Sequence, residues 1–154
     1  MIDFRRLLFR VYRKWGALRP ARLTLGVRAL VVDDEDRICL VRHSYRDGWY
    51  LPGGGVKTGE SLVGAIQREL LEETGIELPE TPQSVHGVFS SFREHKSDHV
   101  VVFLVTDWSV GASVSPEIAE VGFFAADEVP QGTSAATTRR IKEHMTGVPP
   151  GHRW

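Results

Sequence analysis

Apolar residues return at helical spacing from the outset: Phe4, Leu7, Leu8, Val11, Tyr12 and Trp15 share one face, with basic and polar residues between them. With Asp3 as N-cap, this predicts an amphipathic helix over 4–15 that ends near Gly16 and Pro20. The pattern then changes. Thr24 to Val32 is apolar and β-branched, Asp33-Asp34-Glu35-Asp36 is turn-forming, and Arg37 to His43 is again apolar, which predicts two strands joined as a hairpin. Ser44 to Gly48 reads as a loop, and Tyr50-Leu51 as a brief pairing before the permissive Pro52-Gly53-Gly54-Gly55. Ser61 can cap a helix that Gly75 closes. Ser84–Glu94 and His99–Asp107 predict a second hairpin, Glu120–Phe124 a last strand, Ala135–Met145 a final helix, and Gly147–Trp154 a loose tail. Strands interleaved with a central and a C-terminal helix predict an α/β fold whose sheet is covered on both faces.

A chain of 154 residues, 42% hydrophobic and 25% charged, is expected to form one globular domain. No run approaches the roughly 18 apolar residues of a membrane span. The N-terminus has no signal-peptide pattern, so the cytoplasm is the expected compartment. Cys39, the lone cysteine, sits in Ile38-Cys39-Leu40-Val41 and reads as a buried thiol. The net charge of −1 conceals an asymmetry. Residues 1–22 carry seven basic residues and one acid, a net +6, and the remainder carries twelve basic and nineteen acidic residues, a net −7. The apolar stripe on this basic arm suits packing within the protein or in a homodimer; RNA, or an anionic lipid surface, is the minor alternative.

The chemistry concentrates between Gly54 and Ile76. At 100° per residue, Glu69, Glu72 and Glu73 fall within an arc of about 100° on one helical face. Acids at this spacing repel by roughly 0.2–0.5 kcal/mol, and no Lys or Arg follows any of them four residues later. A solvated acidic face is the ordinary reading of such a run. A divalent cation between the side chains explains it better, and oxygen-only donors favour Mg²⁺ or Mn²⁺ over zinc.

This segment resembles the Nudix box, G-x5-E-x7-R-E-U-x-E-E-x-G-U with U aliphatic. Gly54, Glu60, Arg68, Glu69, Leu70, Glu72, Glu73, Gly75 and Ile76 fill its fixed positions, and Trp49-Tyr50-Leu51-Pro52-Gly53 resembles the usual lead-in. The resemblance to these MutT-like hydrolases implies an α/β/α sandwich with a mixed sheet over 21–146, to which the helix of 1–20 is an addition and 147–154 a tail. It implies hydrolysis of a nucleoside diphosphate linked to another moiety, with Mg²⁺ or Mn²⁺ held by Glu69 and Glu73, by Glu72 directly or through water, and by the Gly54 carbonyl. The general base is a box glutamate or an acid from a later loop, here Glu117 or Glu120. Glu60 and Arg68 are expected to pair and hold the loop to the helix, and Gly75 to cap it.

Beyond the box the readings stay open. Arg28 interrupts an apolar strand and either reaches substrate phosphate or pairs with an acid at a sheet edge. Arg42 and His43 end a strand directed at the box loop, where phosphate contact competes with a surface role. Trp49 and Tyr50 either stack on a base or pack beneath the loop, with packing favoured. The residues after the box, Ser91 and Phe92 among them, lack the Pro and Tyr that flag ADP-ribose and diadenosine polyphosphate hydrolases. Nucleoside triphosphates are therefore the first expected substrates and nucleotide sugars the second. The rivals are an RNA 5′-pyrophosphohydrolase and a non-catalytic nucleotide-sensing module.

Overall fold

The computed structural model describes residues 23–79, 84–92, 97–112 and 115–154. The helix predicted over 4–15 lies outside them, as do residues 94–96 of the turn expected over Glu94–Asp98 in the second hairpin, whose Ser97 and Asp98 instead belong to β5. The described elements run β1 (Leu23–Val31), β2 (Ile38–His43), α1 (Leu62–Thr74), β3 (Ile76–Glu77), β4 (Ser84–Ser91), β5 (Ser97–Val105), β6 (Ser109–Val110), β7 (Ile118–Phe124) and α2 (Ala135–Thr146).

The main sheet has the order β1-β5-β4, with β1 parallel and β4 antiparallel to β5. Alternation along β1 explains why apolar residues occupy both of its faces. Val27, Ala29 and Val31 face one core with Ala65, Ile66 and Leu70 of α1, while Leu30 faces a second core with Phe89 and Ile141 of α2. Helices therefore cover both faces, and the fold is α/β with a mixed sheet. Among the described residues, no helix is long and apolar enough to cross a membrane.

The first hairpin is not formed as expected. Its turn closes, with Asp33 accepting from the Glu35 and Arg37 amides at 3.0 and 2.8 Å, but only Val32 and Ile38 bridge. A strand has two edges, and both edges of β1 are taken. One pairs with β5 in register from Leu23↔Ser97 to Val31↔Val105. The other receives the glycine loop: the Val27 amide donates to the Gly54 carbonyl and the Ala29 amide to the Pro52 carbonyl, each at 2.9 Å, and the Val56 amide to the Leu25 carbonyl at 3.0 Å. Thus β2 pairs instead with β7.

The tail is not loose. The Ser90 amide donates to the His152 carbonyl at 2.8 Å and the Trp154 amide to the Ser90 carbonyl at 3.1 Å, which extends the edge of β4. Arg140, 1% exposed, forks onto Glu143 with two bonds of 2.6 Å, donates to the Arg153 carbonyl at 3.2 Å, and lies 3.8 Å over the Phe89 ring. The Trp154 ring packs 5.9 Å from that of Phe89.

Candidate active site

Both ends of α1 are fixed locally. The Ser61 hydroxyl accepts from the Gly64 amide at 3.0 Å, and Gly75, at φ 71°, returns its amide to the Leu71 carbonyl at 3.1 Å. The buried stripe of the helix is Ala65, Ile66, Leu70 and Glu73. A carboxylate thus ends an apolar stripe, and Glu73 is only 9% exposed. Burying an ionised carboxylate without compensation is costly. Here Glu73 Oε2 accepts from the Gly53 amide at 2.7 Å. Burial pushes its pKa up to about 7, opposed by that hydrogen bond and by Arg28, and reinforced by the neighbouring charge of Glu69.

The loop meets this helix through two glycines. Gly53 has φ 131°, and a Cβ there would lie 2.9 Å from Arg28 Cα and closer still to the Val27 carbonyl oxygen. A Cβ at Gly54 would overlap the Glu69 carboxylate. Glu69 and Glu73 are therefore packed at consecutive residues of the loop.

Arg68 binds the assembly together. It reaches Glu60 at 2.7 and 2.9 Å, the Gly55 carbonyl at 3.1 Å, Glu69 at 2.6 Å and Glu72 at 3.5 Å. Glu60 in turn accepts from the Lys57 amide at 2.9 Å, and hydrogen bonds from Arg68 and Lys57 hold its pKa down at about 2. The acids on α1 are thus relieved by a cation, one that precedes Glu72 by four residues instead of following it. Among the described residues, no three acid, histidine or cysteine side chains converge on one point, because Glu69 and Glu72 turn to Arg68 and Glu73 to Gly53. The donor set nevertheless fits a hard divalent cation: oxygen-only ligands, with the buried Glu73 and Glu69 cradled at glycines that leave no side chain between them.

Arg28 is half-buried at the same junction. Burial lowers its pKa, while Glu73 opposes that shift and Arg46 adds to it. Arg46 lies 3.5 Å over the Tyr50 ring with its Nε buried and without a hydrogen-bond partner. Arg28, Arg46 and Tyr50 line a cavity of about 300 Å³ together with the first turns of α2, including Arg139, and the tail residue Trp154. The sequence reading missed Arg46, Arg139 and Trp154. Only the Arg in the Ser44–Gly48 loop offered a local signal. His43, expected at a phosphate or on the surface, is instead buried; burial, then Arg46 and Arg28, push its pKa down to about 4, and its Nε2 lies 3.8 Å from Glu73.

Other expected residues go elsewhere. The β2–β7 register sets Arg42 opposite Glu120, and they form an ion pair of 2.8 Å, half-exposed, outside the cavity lining. Trp49 is buried in the second core, edge-on to Phe124 at 5.1 Å, so it packs. Exposed Glu117 sits on a loop stapled to the end of α1 by the Ser115 amide on the Glu72 carbonyl at 2.5 Å, and its charge acts on Tyr45. A larger recess of about 500 Å³, around the turn acids Asp33, Asp34 and Glu35, contains no box residue.

The model of the NUDIX domain matches residues 22–145. The chain belongs to the Nudix family. Nudix domains are generally dependent on divalent metal and act on pyrophosphate bonds. Among solved structures, the chain is similar to the MutT NUDIX hydrolase from Burkholderia pseudomallei, at 28% identity and TM-score 0.67 over 79% of this chain and 97% of that one. It is also similar to a MutT protein from Bacillus halodurans, at 28% identity and TM-score 0.64 over 84% of each. Among curated proteins, it is 40% identical over 74 residues to the human 8-oxo-dGDP phosphatase NUDT18, covering 43% of this chain and 23% of that protein. It is 41% identical over 56 residues to the RNA pyrophosphohydrolase of Legionella pneumophila (strain Corby), covering 36% and 31%. These matches span between about a quarter and a third of the curated relatives' length.

Proposed function

We propose that this Nudix domain is a Mg²⁺- or Mn²⁺-dependent pyrophosphohydrolase of a small nucleoside diphosphate derivative, with nucleoside triphosphates the first substrates to test and nucleotide sugars the second. The observation that carries the reading is the pair of carboxylates, Glu69 and the buried Glu73, packed at Gly54 and Gly53 beside a cavity lined by Arg28 and Arg46. Similarity to an 8-oxo-dGDP phosphatase and to MutT proteins agrees with a nucleotide substrate.

Glu69, Glu72 and Glu73 would hold the cation, with the Gly54 carbonyl a further oxygen donor. When bound, the cation neutralises the diphosphate and acidifies a water. Arg28 and Arg46 bind phosphate oxygens and orient the linkage. The water oxygen bonds to phosphorus as the bridging P–O bond breaks, giving a nucleotide and a phosphorylated second product. Glu117 is the favoured base outside the box, since Glu120 is committed to Arg42; a box glutamate is the alternative. Glu60 and Arg68 are positioning residues that hold the loop against α1.

The test is a metal-supplemented screen of nucleoside triphosphates and diphosphates, nucleotide sugars, dinucleotides and 5′-triphosphate RNA, with products identified by mass. Cleavage of a small diphosphate into two monophosphorylated or pyrophosphate products is expected. Turnover of RNA alone would move the assignment to RNA 5′ ends, and ligand binding without turnover in any metal would move it to a sensing module.

A further inference from the structure

Eight large apolar side chains stand exposed among the described residues, and five of them share one face of the main sheet. The register places them. Val27, Ala29 and Val31 face the α1 side, and by alternation along β1 so do Leu23 and Leu25. On the same side β4 presents Val85 and Val88, opposite Phe103 and Val101 of that core. Phe92 stands edge-on to His99, the partner of Leu25 in β5. These five are between 41% and 76% exposed. The other face of β4 is closed, with Phe89 buried in the second core.

The patch is open because α1 packs on β1, β3 and β7. Neighbouring strands are about 4.8 Å apart, so β4 lies about 10 Å from β1 across the sheet. Packed helices stand roughly 8–10 Å apart. The face therefore has the width for one more helix beside α1. Its length agrees: β4 runs about 20 Å from Val85 to Phe92, and a helix of the span 4–15 is about 18 Å long. An apolar patch of this kind on a folded domain marks an interaction surface.

We propose that residues 4–15 dock on this patch as a helix, with the stripe of Phe4, Leu8, Val11 and Trp15 against the sheet and the basic face in solvent. The chain itself brings the two together, since residues 1–22 join β1 at Leu23, inside the patch. The link from Gly16 to Arg22 can extend to about 25 Å, enough for the segment to fold back over the sheet it feeds. So short a tether gives an effective concentration on the order of millimolar, which favours the chain's own segment over a second copy at micromolar protein. Charge acts the same way, with +6 on residues 1–22 and −7 on the remainder. The docked helix would brace the start of β1, where the Leu25 carbonyl accepts from the Val56 amide of the glycine loop at 3.0 Å. Neither stripe nor patch contains a residue placed in the active site, so the contact does not depend on the reaction catalysed.

The test is limited trypsin digestion of the full chain, read by mass spectrometry, because Arg5, Arg6, Arg10, Arg13 and Lys14 are cleavage sites within the segment. They should be cut at least about tenfold more slowly than in a synthetic peptide of residues 1–22. Val88→Asp places a charge in the patch and should abolish that protection. A substitution at an exposed site ordinarily leaves a fold intact, so near-UV circular dichroism of this variant should be unchanged. Leu8→Asp alters no strand and should abolish the protection equally. Val110→Asp, exposed but outside the patch, should leave it in place.

Cutting as fast as in the free peptide would overturn the contact, and protection that survives Val88→Asp would overturn its placement on this patch. Protection that fades on dilution, with the chain eluting as a dimer at high concentration, would give the patch to a second copy and overturn docking within one chain. Flotation of the wild-type chain with phosphatidylserine vesicles, unchanged by Val88→Asp, would place the stripe on lipid and overturn it as well.

Discussion

Three adjacent glycines give three different predictions. At Gly53, alanine meets backbone, at 2.9 Å from Arg28 Cα and closer to the Val27 carbonyl, in a conformation of φ 131°. Neither atom can yield, because β1 is fixed on one edge by β5 and on the other by this loop. Strained backbone costs about 1–3 kcal/mol and forced overpacking about 1–3 more, so Gly53→Ala should lose roughly 2–6 kcal/mol. At roughly 2–4 °C per kcal/mol for a chain of this size, the melting temperature should fall by about 4–24 °C. At Gly54 the obstacle is the end of a flexible side chain, Glu69. Gly54→Ala should therefore cost about 1 kcal/mol or less, yet lower turnover by several decades by displacing Glu69, the proposed metal ligand. At Gly55 a methyl group would meet nothing within 4 Å, and the backbone has no positive φ, so Gly55→Ala should be neutral or gain about 0.4–1 kcal/mol through the unfolded chain. Urea melts give the stabilities, and nucleotide turnover with Mg²⁺ gives the rates. If Gly53→Ala is no less stable than Gly55→Ala, or if Gly54→Ala keeps full activity, the reasoning about this loop is wrong.

Glu60→Gln should lower the melting temperature together with activity, since Glu60 ties Arg68 and the Lys57 amide; complete loss of activity at unchanged stability would contradict a positioning role. Its folded pKa of about 2 lies below the ordinary 4.5, so the unfolded chain binds the proton first and stability drains as pH falls from about 4.5 through 2; melts across that range should be flatter in the variant. Arg140→Met should cost up to about 3–5 kcal/mol by removing both short bonds to Glu143, which keeps only the weaker contact with His86 at 3.4 Å and a backbone bond from Gly151, and Arg140→Met with Glu143→Leu should recover part of it, as read by a double-mutant cycle in urea.

What the sequence revealed was local, and what it hid was long-range. Ser61 and Gly75 bound α1 as expected because caps act within a turn of their own helix. The hairpin between β1 and β2 failed because edge pairing depends on β5 and the glycine loop, distant in sequence from one another. Arg42 and Glu120 looked like two separate site residues until the β2–β7 register set them opposite each other. Relief of the helix acids was sought only downstream, while Arg68 sits upstream of both acids it contacts. Arg46, Arg139 and Trp154 have no common motif; only the packing of a loop, a helix and a tail brings them to one cavity.

The most direct test is the metal dependence of Glu73→Gln. In the wild type, Mg²⁺ should raise the melting temperature and support nucleotide hydrolysis that EDTA abolishes, because the cation neutralises a carboxylate buried in the apolar stripe of α1. In Glu73→Gln the rate should fall by several decades and the Mg²⁺-induced stabilisation should shrink. Activity that survives EDTA, or a Glu73→Gln enzyme that retains more than about a tenth of the wild-type rate, would contradict the central role given to this helix.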